Sequence, residues 1–554
     1  MTDREPLRIG LLLDGPTVPL WQTELVDELV HAAYCSVELA VFWPPIRQTP
    51  SVRERLAELG PRGSSLARWY LDWEERWTRF KDDPLAPADI SSLVRDVPQL
   101  QLPPGRARDV DPDNLEQLER AHLDVLIRLG SRMPSIAMRR AAGCGVWSLH
   151  HGGDRTCGGD DGGFWEVWNG ETVTTTTLYQ LSDAADDEAA VVSRTSLSTR
   201  LGSVAHNRRA SRRMGARLIA RQLQQLHARG AEAFYARVTK ANVDPRFCTR
   251  RLDRLPPNAR FPWSLCRHWW GKLSRRITFR ATKRQWILLY ALGTPIPGRV
   301  LHDFRPLRPP TGRFWADPFV MVENGSHHVF FEEFDYAADR GHIAVITIAP
   351  DGTPSKPQEV LVRPYHLSYP FLLRWRDALY MIPETGDRKT LEVYRCTRFP
   401  DEWEFHGYLM RGREIYDATL CEWGGRWWLF ATLTRELCNV ELHVFSAESP
   451  LSETWTPHPA NPVVSDVSRA RPAGPLFTRN GRLYRPSQDC SPFYGYAIRL
   501  HEVVTLTEQD YVEREAGSIM PEWAPGIVAV HQLSFAGDLT VVDAQVRRWR
   551  LPGR

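Results

Sequence analysis

Four positions spaced about fifty residues apart set out the first chemistry in this 554-residue chain. Asp317, Tyr369, Asp417 and Ala473 each stand just before an apolar run, and fifteen residues beyond each come Glu332, Glu384, Thr432 and Gln488. This spacing brings Asp317, Glu332, Glu384 and Asp417 to equivalent levels of a repeat, with Arg471 and Asp489 close by. Gathered carboxylates repel, so one holds its proton while another stays ionised. An acid facing a base is the equipment that breaks a glycosidic bond. Tyr369, Arg471 and Asp489 are the expected substrate contacts. The plainer role for these residues is structural, capping turns and binding one another's backbone.

A second set lies earlier. Gly145-Val-Trp-Ser-Leu-His-His-Gly-Gly153 is followed by Gly163-Phe-Trp-Glu-Val-Trp-Asn-Gly-Glu171 and then by Leu181-Ser-Asp-Ala-Ala-Asp-Asp-Glu188. The glycine run between the first two lacks the Lys-Ser/Thr of a phosphate-binding loop and carries Asp160 and Asp161, which makes it a poor cradle for phosphate.

Different kinds of element must position the two sets. In the first ~240 residues, apolar strands alternate with amphipathic helices. Arg8–Leu13 reads as a buried strand, Trp21, Leu25, Leu29 and Ala33 as a helix stripe, and Leu123–Leu129 as another strand. Met214, Leu218, Ile219, Leu223 and Leu226 mark a late helix that Gly230 caps. Residues 45–66 and 101–113 read as loops. Such alternation predicts a mostly parallel sheet covered by helices. From about residue 283 helical periodicity gives way to short strands. The segments beginning at Pro318, Pro370, Ala418 and Gly474 share one template, spaced by 52, 48 and 56 residues. A period near 50 predicts propeller blades. A weaker fifth copy begins near Gly526, and Gln285–Tyr290 reads as a strand that closes the ring with the C-terminal one.

The first half resembles the formyltransferase family, which acts on amines with 10-formyltetrahydrofolate, through the strand bearing Ser148 and His150, the Asn169-Gly-Glu171 end of a Trp-containing helix, and the acidic loop after Leu181. The resemblance implies His150 as catalytic base, Asp186 as its partner and Ser148, where the family has asparagine, as a weaker oxyanion donor. In that chemistry a neutral amine loses a proton as it attacks the formyl carbon, and an imidazole oriented by a carboxylate accepts it. His151 is the alternative base. The second half resembles five-bladed glycosidase-like propellers through Trp315-Ala-Asp-Pro318, which implies Asp317 as general base, Asp417 as a second aspartate and Glu384 as acid. It also resembles the N-terminal region of plant glucosamine inositolphosphorylceramide transferases through Trp315-Ala-Asp-Pro-Phe319, Ser368-Tyr-Pro-Phe371, Ile382-Pro-Glu-Thr385 and Gln488-Asp-Cys490.

Composition narrows the classes. Hydrophobic residues at 42% and charged residues at 25% are ordinary for a globular chain and exclude a mainly disordered one. A net charge of +3 argues against a broad nucleic-acid face. Nine cysteines without a C-x-x-C pair exclude zinc-ribbon and thioredoxin-type sites, no metal is expected, and a reducing cytoplasm is the expected location. No apolar stretch reaches the ~20 residues of a membrane helix. The expected organisation is a Rossmann-like, formyltransferase-like α/β domain over 1–239, a basic aromatic linker over 240–282, and an all-β five-bladed propeller over 283–554. In the linker, Arg267, Trp269, Trp270, Lys272, Arg275 and Arg276 read as a solvated face packed on a domain interface, with peripheral membrane contact by 267–276 as the alternative. The first functional expectation is formyl transfer to an amine, such as an amino sugar, with a glycan-binding propeller. The others are a glycosidase-like or sugar-transfer propeller beside a degenerate first domain, and a glycan-binding protein without catalysis. Oligomeric state is not legible.

Overall fold

The computed structural model describes residues 4–44, 58–103, 110–152, 162–183, 189–242, 255–293, 304–523 and 525–549. The chain divides into two compact units, Met1–Leu273 and Ser274–Arg554, with the division inside the segment read as a linker.

The first unit is an open α/β sheet. Its strands are β1 (Leu7–Leu13), β2 (Thr17–Pro19), β3 (Cys35–Phe42), β4 (Pro87–Asp89), β5 (Gln99–Gln101), β6 (Val125–Arg128), β7 (Val146–His151), β8 (Val173–Leu181) and β9 (Ala189–Ser198). Among its helices are α1 (Leu20–Val30), α2 (Ser65–Trp77), α3 (Pro112–Arg120), α4 (Ile136–Arg140), α5 (Phe164–Asn169), α6 (Val204–Arg229) and α7 (Ala231–Ala241), and α8 (Phe261–Ala281) carries the division within it. The main sheet runs β5-β3-β1-β6-β7-β8-β9. β5, β3, β1, β6 and β7 are parallel, and β8 and β9 add an antiparallel hairpin at one edge. Alternation along β1 sends Ile9, Leu11 and Leu13 into one buried cluster with Leu25, Leu218 and Leu223, and Leu12 into another with Val41 and Leu126. Both faces of the sheet are therefore covered, as a parallel sheet requires. α6 starts at the Ser203 hydroxyl, which accepts from the His206 amide, and stops at Gly230 with φ 80°. α2 and α8 are absent from the sequence reading, which has loop over 45–66 and linker over 240–282.

The second unit is a five-bladed propeller. β10 (Thr282–Leu292) and β11 (Arg305–Leu307) come first. Blade 1 is β12 (Arg313–Glu323), β13 (Ser326–Asp335), β14 (Arg340–Ile348) and β15 (Gln358–Leu361). Blade 2 is β16 (Ser368–Trp375), β17 (Ala378–Glu384), β18 (Thr390–Arg398) and β19 (Glu402–Arg411). Blade 3 is β20 (Ile415–Trp423), β21 (Arg426–Leu433), β22 (Glu441–Ala447), β23 (Thr456–Pro457) and β24 (Val464–Ser465). Blade 4 is β25 (Phe477–Arg479), β26 (Arg482–Asp489), β27 (Ala497–Leu506) and β28 (Tyr511–Ile519). Blade 5 combines β29 (Ile527–Ala529), β30 (Leu533–Ala536) and β31 (Leu539–Trp549) with β10 and β11, and β10 pairs β31 antiparallel from Thr282↔Trp549 to Leu292↔Leu539. The seam expected at Gln285–Tyr290 lies in that pairing. Trp315, Trp427 and Trp428 are buried, and the Trp375 and Trp427 rings meet edge-on at 5.3 Å, so these tryptophans pack blades together.

Candidate active site

The repeat positions acquire a geometric meaning at the hub. The strand pairing slips between Ala316 and Phe319, between Ser368 and Phe371, and between Tyr416 and Thr419. Each slip holds one residue in the left-handed region: Asp317 (φ 54°), Tyr369 (φ 44°) and Asp417 (φ 51°). In blade 4 the equivalent turn falls on Gly474 (φ 118°), one residue beyond Ala473. A left-handed non-glycine residue costs about 1–2 kcal/mol, and such strain is retained where it re-aims a group.

The group re-aimed is the backbone amide. Asp317 N–H donates to Asp543 Oδ2 (3.0 Å), Tyr369 N–H to Asp317 Oδ2 (3.2 Å), Asp417 N–H to Glu384 Oε2 (3.0 Å) and Gly474 N–H to the Tyr369 hydroxyl (3.0 Å). In blades 1 to 4 the first strand, or the turn that leads into it, is thus tied to a side chain of another blade. The fifteen-residue offset is the return along the hairpin. Glu332 sits opposite Ala316, Glu384 opposite Ser368 and Thr432 opposite Tyr416.

The charges are arranged unevenly. Asp417 receives the Arg471 guanidinium on both oxygens (2.5 and 3.3 Å) and Gln488 Nε2 at 3.2 Å. His531 places Nε2 3.1 Å from Asp317 and Nδ1 2.8 Å from Asp543. Burial opposes an imidazolium there, but Asp543 and Asp317 outweigh it and raise the His531 pKa to about 10. Glu332 and Glu384 have no comparable cation. Burial, then the charges of Asp317 and Glu384, push Glu332 well above the usual carboxylate range. Burial, then Asp417, does the same to Glu384. His366 accepts the Gly341 amide on Nδ1 (2.9 Å), so its Nε2 carries the proton and lies 3.5 Å from Glu332. The hub therefore sets glutamates whose acid form is favoured beside paired aspartates. Glu332 is buried, whereas Glu384 is half-buried. Tyr494 lies edge-on to His531 at 5.5 Å and under Arg471 at 4.8 Å, and is 42% exposed, which leaves an aromatic face at the rim.

Two expected substrate contacts have other roles. Tyr369 is 1% exposed, and its hydroxyl meets Thr419 Oγ1 at 2.7 Å as well as Gly474 N–H, so it is a strut between blades. Asp489 is taken up by Arg499 at 2.6 Å and by Ser491. Arg471 does lie at the hub, as the partner of Asp417. His531, Asp543 and Tyr494 escape the sequence reading. His531 lies 58 residues past Ala473, close to the repeat, and that spacing was the available signal.

Among the described residues, two groups of side chains have ligand atoms within 4.8 Å of one another, as a metal site would: Asp317, His531 and Asp543, and Glu333, His342 and Glu359. In the first the imidazolium itself balances the carboxylates. In the second Arg313 lies 2.6 Å from Glu333.

In the first unit, Ser148 and His150 share one face of β7, and His151 points to the other. The Ser148 hydroxyl accepts from Arg128 Nη1 at 2.9 Å, a contact the sequence does not announce. The His150 ring stands edge-on to Tyr179 at 6.2 Å. His151 is buried, with Nδ1 2.8 Å from Ser211 Oγ, and burial with Arg212 and His150 pushes its pKa well below the usual value. It is a core histidine and no substitute for His150. Asp186 lies outside the described residues.

Residues 308–529 match the family model described as glucosamine inositolphosphorylceramide transferase 1, N-terminal. The chain is 38% identical over 206 residues to glucosamine inositolphosphorylceramide transferase 1 of Oryza sativa subsp. japonica, covering 36% of this chain and 27% of that protein. It thus spans about a quarter of the length of the curated relatives it matches. Among solved structures, the RS223 beta-xylosidase shares 13% identity, with a TM-score of 0.31 and coverage of 41% of this chain and 91% of that one. A glycinamide ribonucleotide transformylase from Symbiobacterium toebii shares 14% identity, with a TM-score of 0.28 and coverage of 40% and 89%. Among the described residues, no helix is long and apolar enough to cross a membrane.

Proposed function

We propose that the propeller hub is a sugar-processing site that breaks or transfers a glycosidic bond, with an amino-sugar glycoside as the substrate class. The observation that supports it most is Glu384, half-buried, its acid form favoured by burial and by Asp417, beside the Asp417–Arg471 pair. In this reading Glu384 gives its proton to the leaving oxygen as the C–O bond breaks. The acceptor, water or a sugar hydroxyl, attacks the anomeric carbon and loses its proton to the Asp317 carboxylate. Asp417 is a positioning residue, since its amide fixes Glu384 and its carboxylate is occupied by Arg471 and Gln488. Tyr494 offers the ring on which a sugar face packs. The relatives' name, glucosamine inositolphosphorylceramide transferase 1, motivates the choice of sugar. Release of aglycone from nitrophenyl glucosaminide or N-acetylglucosaminide, or transfer to an added acceptor, is expected, with Glu384→Gln inactive. No turnover and no binding of any amino-sugar glycoside overturns it.

A second reading is favoured by the Arg128–Ser148 contact beside His150, which puts a cation next to the place where an oxyanion would form. There His150 takes the proton of an attacking amine, Asp186 orients it, Ser148 donates to the oxyanion, and 10-formyltetrahydrofolate gives up its formyl group to leave as tetrahydrofolate. Mass spectrometry of amino-sugar acceptors incubated with that donor tests it, and absence of both formyl product and folate binding removes it.

A further inference from the structure

Helix α8 has two apolar faces, and one is uncovered. On one side Phe261 stacks on Trp168 at 5.1 Å, His268 stacks on the same ring at 5.4 Å, and Leu265 packs beside them. On the other, Trp263, Cys266, Trp270, Leu273 and Ile277 follow one another at steps of three and four residues, all exposed. Trp263 is 79% exposed, Trp270 71% and Ile277 57%. At about 100° per residue this stripe lies opposite the packed one. The helix contains no acidic residue, while Arg267, Lys272, Arg275, Arg276 and Arg280 lie along it, in a chain whose net charge is only +3. Helix α2 joins the same aromatic cluster, with Tyr70 6.0 Å from Phe261, and it too exposes tryptophans at four-residue steps: Trp69, Trp73 and Trp77.

We propose that α8, with the tryptophans of α2, docks this protein on an anionic lipid surface. Tryptophan is the side chain that prefers the boundary between headgroups and acyl chains, and exposed rings in a row are costly in water. By the same arithmetic Arg267 and Arg280 flank the stripe, and cations at the edges of an apolar face on an acid-free helix complement anionic headgroups, as in helices that lie in the membrane plane. A second copy of this chain has the same positive helix and would repel it, so charge favours lipid over self-association.

The test uses the full chain and sedimentation with vesicles of phosphatidylcholine alone or with roughly 30% phosphatidylinositol or phosphatidylserine. Binding is expected only to the anionic vesicles and should weaken at about 0.5 M salt. Trp263→Glu with Trp270→Glu should lower partitioning about tenfold or more. Arg267→Glu with Arg280→Glu should lower it about fivefold or more per residue, with both variants melting as the parent does. No binding to anionic vesicles overturns the proposal. So does binding that both variants retain, or a dimer in solution that the tryptophan substitutions dissolve without any vesicle binding, which would assign the face to a second copy.

Discussion

Two of the buried histidines, one in each unit, differ in charge: one ring is neutral and the other is a cation. His151 sits between Ser211 and Thr176 with Arg212 nearby, and is held neutral. His531 sits between Asp317 and Asp543, and is held protonated. Burial alone favours the neutral ring in both places, so the partners decide. The difference extends to the surroundings. At β7 His151 meets hydroxyls, and the Arg128 cation is bonded to the neutral Ser148 Oγ and to the Ser131 and Arg132 carbonyls. At the hub, charges from all five blades interlock, and left-handed residues turn backbone amides onto carboxylates. A site built of interlocked charges has more to lose from one substitution and more capacity to move protons.

The largest expected contrast is catalytic. Glu384→Gln should lower turnover of an amino-sugar glycoside by about 10²–10⁴, whereas His150→Ala should leave it unchanged. Parallel kinetics on the two variants measure it, and the reverse pattern would move the chemistry to the α/β unit. Next is stability. Arg471→Ala strands the buried Asp417 carboxylate and should cost about 3–5 kcal/mol, while Arg128→Ala should cost about 1 kcal/mol or less, both read from denaturant midpoints. Tyr369→Phe removes a hydroxyl that serves Thr419 and Gly474, and should cost about 1–3 kcal/mol.

The pH response sharpens the contrast further. The His531 pKa stands at about 10 when folded, above its unfolded value of about 6.5. Its stabilisation is complete below about 6.5 and is lost as the pH climbs through about 10. His151 is displaced downward, so its contribution is complete above about 6.5 and is lost on acidification. His531→Gln should therefore flatten the alkaline limb of the stability curve and His151→Gln the acid limb, each judged against the parent. Glu332 and Glu384 add loss in the same sense as His531 from about pH 4.5 upward. His501, pushed down to about 4 by burial and the Arg485 charge, gives the propeller an acid-side loss of its own.

The sequence shows where its patterns are repeated and local. Apolar alternation places β1, β3 and β6, and a fifty-residue period places four blades and the Glu332 and Glu384 levels. The β8–β9 edge is less visible because Thr174 to Thr177 are polar on both faces, and four threonines in a row show no period of two. α2 is hidden because Trp69, Trp73 and Trp77 look outward, so its stripe does not mark a core. The fifth blade is hard to read because its strands come from both ends of the propeller's chain. His531 and Asp543 therefore never line up in sequence with the carboxylates they meet in space.

That same seam governs how the ring can be cut. The segment shared with the relatives, 308–529, begins after β10 and stops before β30 and β31, so it contains neither half of the closing pair nor His531. Excised at those bounds, it would leave Trp315, Val329 and Phe331 without Leu288 and Val541 of their cluster and Asp317 without its cation. A transplant or split version of this propeller has to start ahead of Thr282 and extend past Trp549. A circular permutant, by contrast, can join those adjacent ends and open instead at a hairpin such as Asn324–Gly325, where no hub residue is disturbed.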